Sequence, residues 1–348
     1  MRHFRYSIFV TILCLTLAAY WGYHSNGVGG IWPALSIAAI LGIMEVSLSF
    51  DNAVVNASVL KEMDAKWRQI FLTIGILVAV FGMRLLFPIL IVSIATGQGM
   101  GDVSHMALYQ PEIYSAHLHA SHTAIASFGG TFLFMVFLGF LLDEGKELHW
   151  LGVVEEKLSQ LGKIDSIGII LTLTVLMGLQ MYLPLAPEQK MTMFLAGVGG
   201  LMLYVIVDSL GSFFETEEEE EAIVQTAKRS GVMGFIYLEI LDASFSFDGV
   251  IGAFAITRDV VIIMLGLTIG AMFIRSLTVY LVNKGTLDEY VFIEHGAHYA
   301  IGILALIMFY SIHKEVPELF TGLVGVGFIL AAVASSILYK RKHQLVEN

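Results

Sequence analysis

Glu45-Val46-Ser47-Leu48-Ser49-Phe50-Asp51 and Asp242-Ala243-Ser244-Phe245-Ser246-Phe247-Asp248 share one pattern, acid-x-Ser-apolar-Ser-Phe-Asp. Each copy lies inside a long apolar stretch, where a carboxylate is rare and costly. The next apolar stretch after each copy carries one arginine within its apolar run. These are Arg84, in Gly82-Met83-Arg84-Leu85, and Arg275, in Phe273-Ile274-Arg275-Ser276. A further apolar stretch follows each arginine, so the repeat is a unit of three helices. The two units begin five stretches apart, an odd number, and therefore run through a membrane in opposite directions. That is an inverted repeat, whose binding site is expected at the interface of the units near the membrane midplane.

Working outward, ten stretches are long enough, or nearly so, to cross ~30 Å of hydrocarbon as helices. They lie at about 5–22, 31–57, 68–96, 122–142, 165–184, 191–214, 231–257, 259–282, 297–312 and 318–339, the ninth being short. Of the 348 residues 57% are hydrophobic and 14% charged, against ~25% charged in soluble domains. So little charge does not cover a water-exposed globule. No ten-residue alternating segments recur, which excludes a β-barrel. The single cysteine, Cys14, excludes a disulfide framework and a cysteine-built metal site. A formal charge of −11 excludes nucleic acid as a natural partner. The expected fold is all-α, a polytopic transmembrane bundle of about ten helices.

Five segments result: an N-terminal anchor helix and loop (1–30), the first three-helix unit (31–142), two connecting helices with an acidic loop (143–230), the second, inverted unit (231–312), and a C-terminal helix with a basic tail (313–348). Arg2 and Arg5 precede the first apolar run, yet no small-x-small cleavage site follows it, so a retained anchor is expected rather than a signal peptide. With the N-terminus in the cytoplasm, only Lys190, Arg258 and Lys314 fall outside; Arg84 and Arg275 lie within helices, and the remaining basic residues fall inside. Both termini are then cytoplasmic. The outer segment of about 97–121 reads as a loop. It holds His105, His117 and His119, with His122 at its edge, and a surface loop is preferred there over a Zn2+ or pH-sensing site. Asp143, Glu144, Lys146 and Glu147 read as interfacial charges. Glu215 with Glu217–Glu221 reads as a solvated linker, though such a run also concentrates cations. Asp208 is a weaker pathway candidate.

The motif acids carry the chemistry. Residues six apart on a helix differ by ~9 Å of rise and ~120° of net rotation, so Glu45 and Asp51 do not chelate one ion from a regular helix. Either the helix breaks near the serine pairs, which is favoured, or each acid meets the antiparallel partner, Glu45 toward Asp248 and Asp51 toward Asp242. Glu239 adds a carboxylate one turn before Asp242. The candidate metal ligands are Glu45, Asp51, Asn52, Asp242 and Asp248, with Glu239, Ser47 and Ser244 as weaker ones; Arg84 and Arg275 are the counter-charges. Such oxygen ligands suit Mg2+, Ca2+ or Mn2+ and argue against Cu+.

Glu45 through Asn52 resembles the first motif of the TerC family of integral membrane proteins. Ile240 through Asp248, with Phe254-Ala255-Ile256-Thr257 closing the helix, resembles the second. Gly249 stands where that family often has serine, so position 249 is not expected to supply a ligand. The resemblance covers roughly 31–142 and 231–312. It implies a transporter of the lysine-exporter type, multi-pass in a bacterial-type plasma membrane, exporting a divalent cation such as Mn2+, with Glu45, Asp51, Asp242 and Asp248 facing the ion path. Protons are the possible coupling ion, the bilayer is the surrounding partner, a homo-oligomer is possible, and no resident cofactor or enzymatic activity is implied. Two alternatives stand beside it. One is a non-transporting scaffold in a metal- or tellurite-stress complex. The other is an intramembrane aspartyl enzyme, for which the Gly-x-Gly-Asp signature is absent.

Overall fold

The computed structural model describes residues 4–63, 65–146, 148–164, 166–213, 232–284, 290–314 and 316–347. All described regular structure is helical: an all-α polytopic bundle. The helices are α1 (Arg5–Asn26), α2 (Ile31–Leu48), α3 (Phe50–Glu62), α4 (Ala65–Leu77), α5 (Phe87–Thr96), α6 (Met100–Tyr109), α7 (Pro111–Ala120), α8 (His122–Leu141), α9 (Val153–Ser159), α10 (Ile167–Tyr182), α11 (Pro187–Phe213), α12 (Val232–Ile256), α13 (Val260–Lys284), α14 (Ile293–Ser311) and α15 (Glu318–Glu347). Among the described residues, seven helical runs are long and apolar enough to cross a membrane. One of them, Arg5–Val46, turns back at Gly27, whose φ of 64° favours glycine, so α1 and α2 pack side by side.

The pairing of helices has a reciprocal form. Helix α2 packs on α13, the segment between α4 and α5 packs on α12, and α8 packs on α14. The first helix of each expected unit thus lies against the second helix of the other, and the third helices lie together. Glycine sets the closeness of the first pair. A Cβ added at Gly266 would stand 2.5 Å from Leu41 Cβ and 3.0 Å from the Ala38 carbonyl oxygen. Small residues at helix contacts are how apolar helices gain packing in lipid.

Four findings differ from the sequence expectation. First, the motif helices are unlike each other. The first breaks at Ser49, whose φ of −106° and ψ of 16° separate α2 from α3, whereas α12 runs unbroken through its motif. The break is mild, because the Ser49 N–H still donates to the Glu45 carbonyl at 3.0 Å and the Ala53 N–H to the Ser49 carbonyl at 3.3 Å. Second, the segment 97–121 is not a loop. It forms α6 and α7, with Pro111 opening the second, and Val103, Met106, Tyr114 and Leu118 are buried against Phe254 and Leu267. Their spacing of three to four is that of a helix face.

Third, the ninth span begins earlier than the apolar run. Helix α14 starts at Ile293 because its polar first turns have partners. The His295 Nε2 lies 2.9 Å from the Leu148 carbonyl oxygen, and it stands 3.5 Å from Glu155 Oε1. Fourth, Lys146, expected as an interfacial charge, has a buried partner that the sequence did not name. Its ammonium bonds the fully buried Glu155 at 2.8 Å and lies 4.2 Å from the centre of the Phe140 ring. The Leu151 N–H donates to Glu155 at 3.1 Å. Helix α9, which carries Glu155, is bent 103° from α10 and so runs across the end of the bundle.

Candidate functional site

Helices α3, α4, α12 and α13, with Ser49 and the segment around Arg84, line a cavity of about 40 Å3. Its walls include Ser49, Asn56, Glu239, Asp242, Arg84 and Arg275. Glu45 stands in the last turn of α2 and is 1% exposed. Its carboxylate is ion-paired with the buried Arg84 guanidinium, and the Ser49 hydroxyl donates to it at 3.3 Å. The other arm of Arg84 lies 4.0 Å from Asp242 Oδ2 on α12. One guanidinium therefore links an acid of the first motif to an acid of the second.

Arg84 is carried by a π-helical segment, Val78–Leu86, set between α4 and α5. Such wider turns occur mostly as short insertions in α-helices and often at functional positions. Two glycines make room for Glu45. A Cβ at Gly249 would come within 2.7 Å of Glu45 Oε2, and one at Gly270 would overlap the Glu45 side chain, 2.5 Å from its Cγ. Position 249 thus supplies space for the Glu45 carboxylate.

The second half of the cavity is built around Glu239. It is 6% exposed, and both of its carboxylate oxygens are buried with no hydrogen-bond partner. Gly75 is open to it, since a Cβ there would stand 2.7 Å from Glu239 Oε1. Arg275 donates to the Phe71 carbonyl at 3.1 Å, and its Nη2 has no partner. Among the described residues no ion pair within 4.0 Å joins Arg275 to Glu239. The Asn56 Oδ1 also faces the interior unpartnered. Asn56 escaped the sequence reading. Its signal was there: it lies one turn beyond Asn52, on the same face of the helix.

Of the expected ligands, Asp242 and Glu239 line this cavity, and Glu45 is tied to it through its ion pair with Arg84. Asn52 is buried on α3. Ser244 donates its hydroxyl to the Ile240 carbonyl at 2.9 Å and lies toward α8, where a Cβ on Gly129 would be 3.9 Å away. It does not line the cavity. The side chains of Ser47, Asp51 and Asp248, and the run Glu215 with Glu217–Glu221, lie outside the described residues. Among the described residues no group of three His, Cys, Asp or Glu side chains is placed to hold a metal ion. That includes the histidines near α7, where His117 and His119 point ~200° apart. Asp208 is exposed on α11.

A second opening lies at the α7 end of the bundle. This groove of about 790 Å3 is lined by Glu112, Ser115, His119, Phe254, Thr257 and Arg258. The exposed Arg258 and Glu112 pair across it at 2.5 Å.

No curated protein and no solved structure matches the chain. Residues 50–343 match the model of a family described as Protein of unknown function (DUF475). The match spans most of the chain and takes in α12, α13 and the Arg84 segment. This membrane protein, with its carboxylate–arginine centre, belongs to the DUF475 family.

Proposed function

We propose that the protein is a secondary transporter that exports a divalent metal cation, Mn2+ foremost, across a bacterial-type plasma membrane, with both termini in the cytoplasm. The observation that carries this reading is the meeting of Glu45 and Asp242, from the two motif helices, on one buried guanidinium. A charged side chain at membrane depth costs ~2.5–3.5 kcal/mol even on insertion scales. Five acids, Glu45, Asp51, Glu239, Asp242 and Asp248, stand in the two motif helices against two arginines, Arg84 and Arg275. The surplus is negative, and a divalent cation with a proton would neutralise it. The oxygen donors suit hard cations. The resemblance of the motifs to the TerC family favours Mn2+ among these and export as the direction.

In this reading the two three-helix units rock against each other and expose the carboxylates to one side at a time. Protons serve as the coupling ion, because a carboxylate binds either a proton or a metal. The test is flux in proteoliposomes, comparing Mn2+, Ca2+, Mg2+ and Zn2+ at two pH values. Mn2+ movement that responds to a pH gradient and disappears in Asp51→Ala with Asp248→Ala is the expected result. Flux of none of the four ions overturns the proposal; Mn2+ flux unchanged in the double variant overturns the assignment of the site.

A further inference from the structure

We infer that Arg84 is a tethered cation that competes with the transported cation for Glu45 and Asp242, standing in for the cargo when the carrier is empty. The inference rests on the cation-transport reading above and names how its site is regulated. Three observations carry it. The first is position. Arg84 is ion-paired with Glu45 and 4.0 Å from Asp242, and its side chain is only 4% exposed. A guanidinium does not lose its proton in a protein. A second cation drawn to the same two carboxylates therefore meets a fixed positive charge at contact distance.

The second is room. Gly249 and Gly270 back Glu45 so closely that any side chain at either would collide with it. Glu45 is therefore held, and the partner free to withdraw is the arginine. The third is the carrier of that arginine. The π-helical turn Val78–Leu86 holds one more residue per turn than the α-helices on either side. Moving the wide turn along the helix turns only the residues it passes, by ~100° about the axis. Arg84 can leave the carboxylates in this way while the helices on either side keep their register. Arg275 does not duplicate the role, because it donates to the Phe71 carbonyl and, among the described residues, makes no ion pair within 4.0 Å with Glu239.

In an empty carrier, Arg84 between the two acids cancels one of their two negative charges and so lowers the cost of reorienting without a metal at that point. A loaded carrier must first expel the guanidinium, which sets its affinity. The experiment measures Mn2+ binding to the purified full-length protein from the electron-paramagnetic-resonance signal of the free ion, beside Mn2+ flux in proteoliposomes. Arg84→Gln should bind Mn2+ at least ~10-fold more tightly, since a charge within ~4 Å is removed. Its flux should show a lower KM and a lower maximal rate together. Arg84→Lys keeps the charge but holds a carboxylate at one point only. It should fold as wild type does, bind Mn2+ more tightly than wild type and less tightly than Arg84→Gln, and decide the matter if Arg84→Gln does not fold. A merely structural arginine would give weaker or unchanged binding in both variants, and that result overturns the inference while leaving the transport reading intact. No Mn2+ binding by wild type or either variant overturns both.

Discussion

Gly270→Ala tests whether the spacing of α2 and α13 sets the position of Glu45. The new Cβ would overlap the Glu45 Cβ and stand 2.5 Å from its Cγ and 2.8 Å from the Gly42 carbonyl oxygen. Carbon atoms rest at ~3.5–4.0 Å, so the two helices must part locally by ~1 Å. Overpacking of this kind costs ~1–3 kcal/mol. Glu45 moves with its backbone, and ~1 Å exceeds the ~0.5 Å window of a charge-assisted hydrogen bond. The pair with Arg84 is then broken, and the 4.0 Å approach of Arg84 to Asp242 is reset. Gly266→Ala supplies the control. Its Cβ meets Leu41 Cβ at 2.5 Å and the Ala38 carbonyl oxygen at 3.0 Å, one turn away from Glu45 on the same contact. Thermal unfolding in one detergent should fall by similar amounts in both variants. Mn2+ flux should drop by ~10-fold or more in Gly270→Ala only, since a 1 Å misplacement suffices for such losses. Equal losses of flux would place the fault in a loosened bundle, and wild-type melting of Gly270→Ala would refute the close approach itself.

Further outcomes follow from the end of the bundle where α9 lies. Lys146→Met should destabilise the protein by ~3 kcal/mol, because it leaves a buried carboxylate without its cation, and adding Glu155→Gln should restore most of that, as read in an unfolding cycle. Burial pushes the Glu155 carboxyl up, but the hydrogen bonds from Lys146 and the Leu151 N–H, with the charges of Lys146 and His295, hold it below the usual range. Its contribution is therefore complete above the ordinary glutamate value of ~4.3 and is lost as pH falls through the lower folded value. Melting temperature against pH should show that acid step in wild type and lack it in Glu155→Gln. Glu112→Ala should change stability by no more than ~0.5 kcal/mol, because its pair with Arg258 is exposed and screened by water, and a larger loss in the melt would show that α7 is pinned by that bridge.

Patterns local to one helix were legible in the sequence, and features that depend on the facing helix were not. The repeated motif marked Glu45 and Asp242, and the arginine in each following stretch marked Arg84 as their counter-charge. The serine pairs marked a break, but it forms only at Ser49. In the second copy the Ser244 hydroxyl bonds the Ile240 carbonyl and the helix stays whole. Helices α6 and α7 were hidden by their polarity: histidines and a lack of basic residues read as loop, although Val103, Met106, Tyr114 and Leu118 kept helical spacing. Gly75, Gly249 and Gly270 carry no signal of their own. Their meaning comes from Glu239 and Glu45 standing opposite, which only the packing of α2 on α13 and of the Arg84 segment on α12 reveals. Lys146 likewise read only as an interfacial charge, because its partner Glu155 reaches it from a helix bent across the bundle end.

The two motifs are matched in type but not in reach, and that difference bears on how one arginine serves both. Glu45 is a methylene longer than its counterpart Asp242, and it stands next to the break at Ser49. Asp242 is shorter and fixed on an unbroken helix. The guanidinium is accordingly in contact with Glu45 and stands off Asp242 at 4.0 Å. A perfectly symmetric pair of acids would hold the arginine equally and would resist any step that favoured one unit. Unequal acids hold it at unequal distances, closely at Glu45 and at 4.0 Å from Asp242. If the protein is the carrier proposed above, inverted units need such an imbalance in each end state, because the state facing one side differs from its opposite only in which unit has adopted which shape. On that proposal, the Glu-for-Asp difference at the head of the motif, together with the single break, would supply the imbalance within an otherwise repeated sequence.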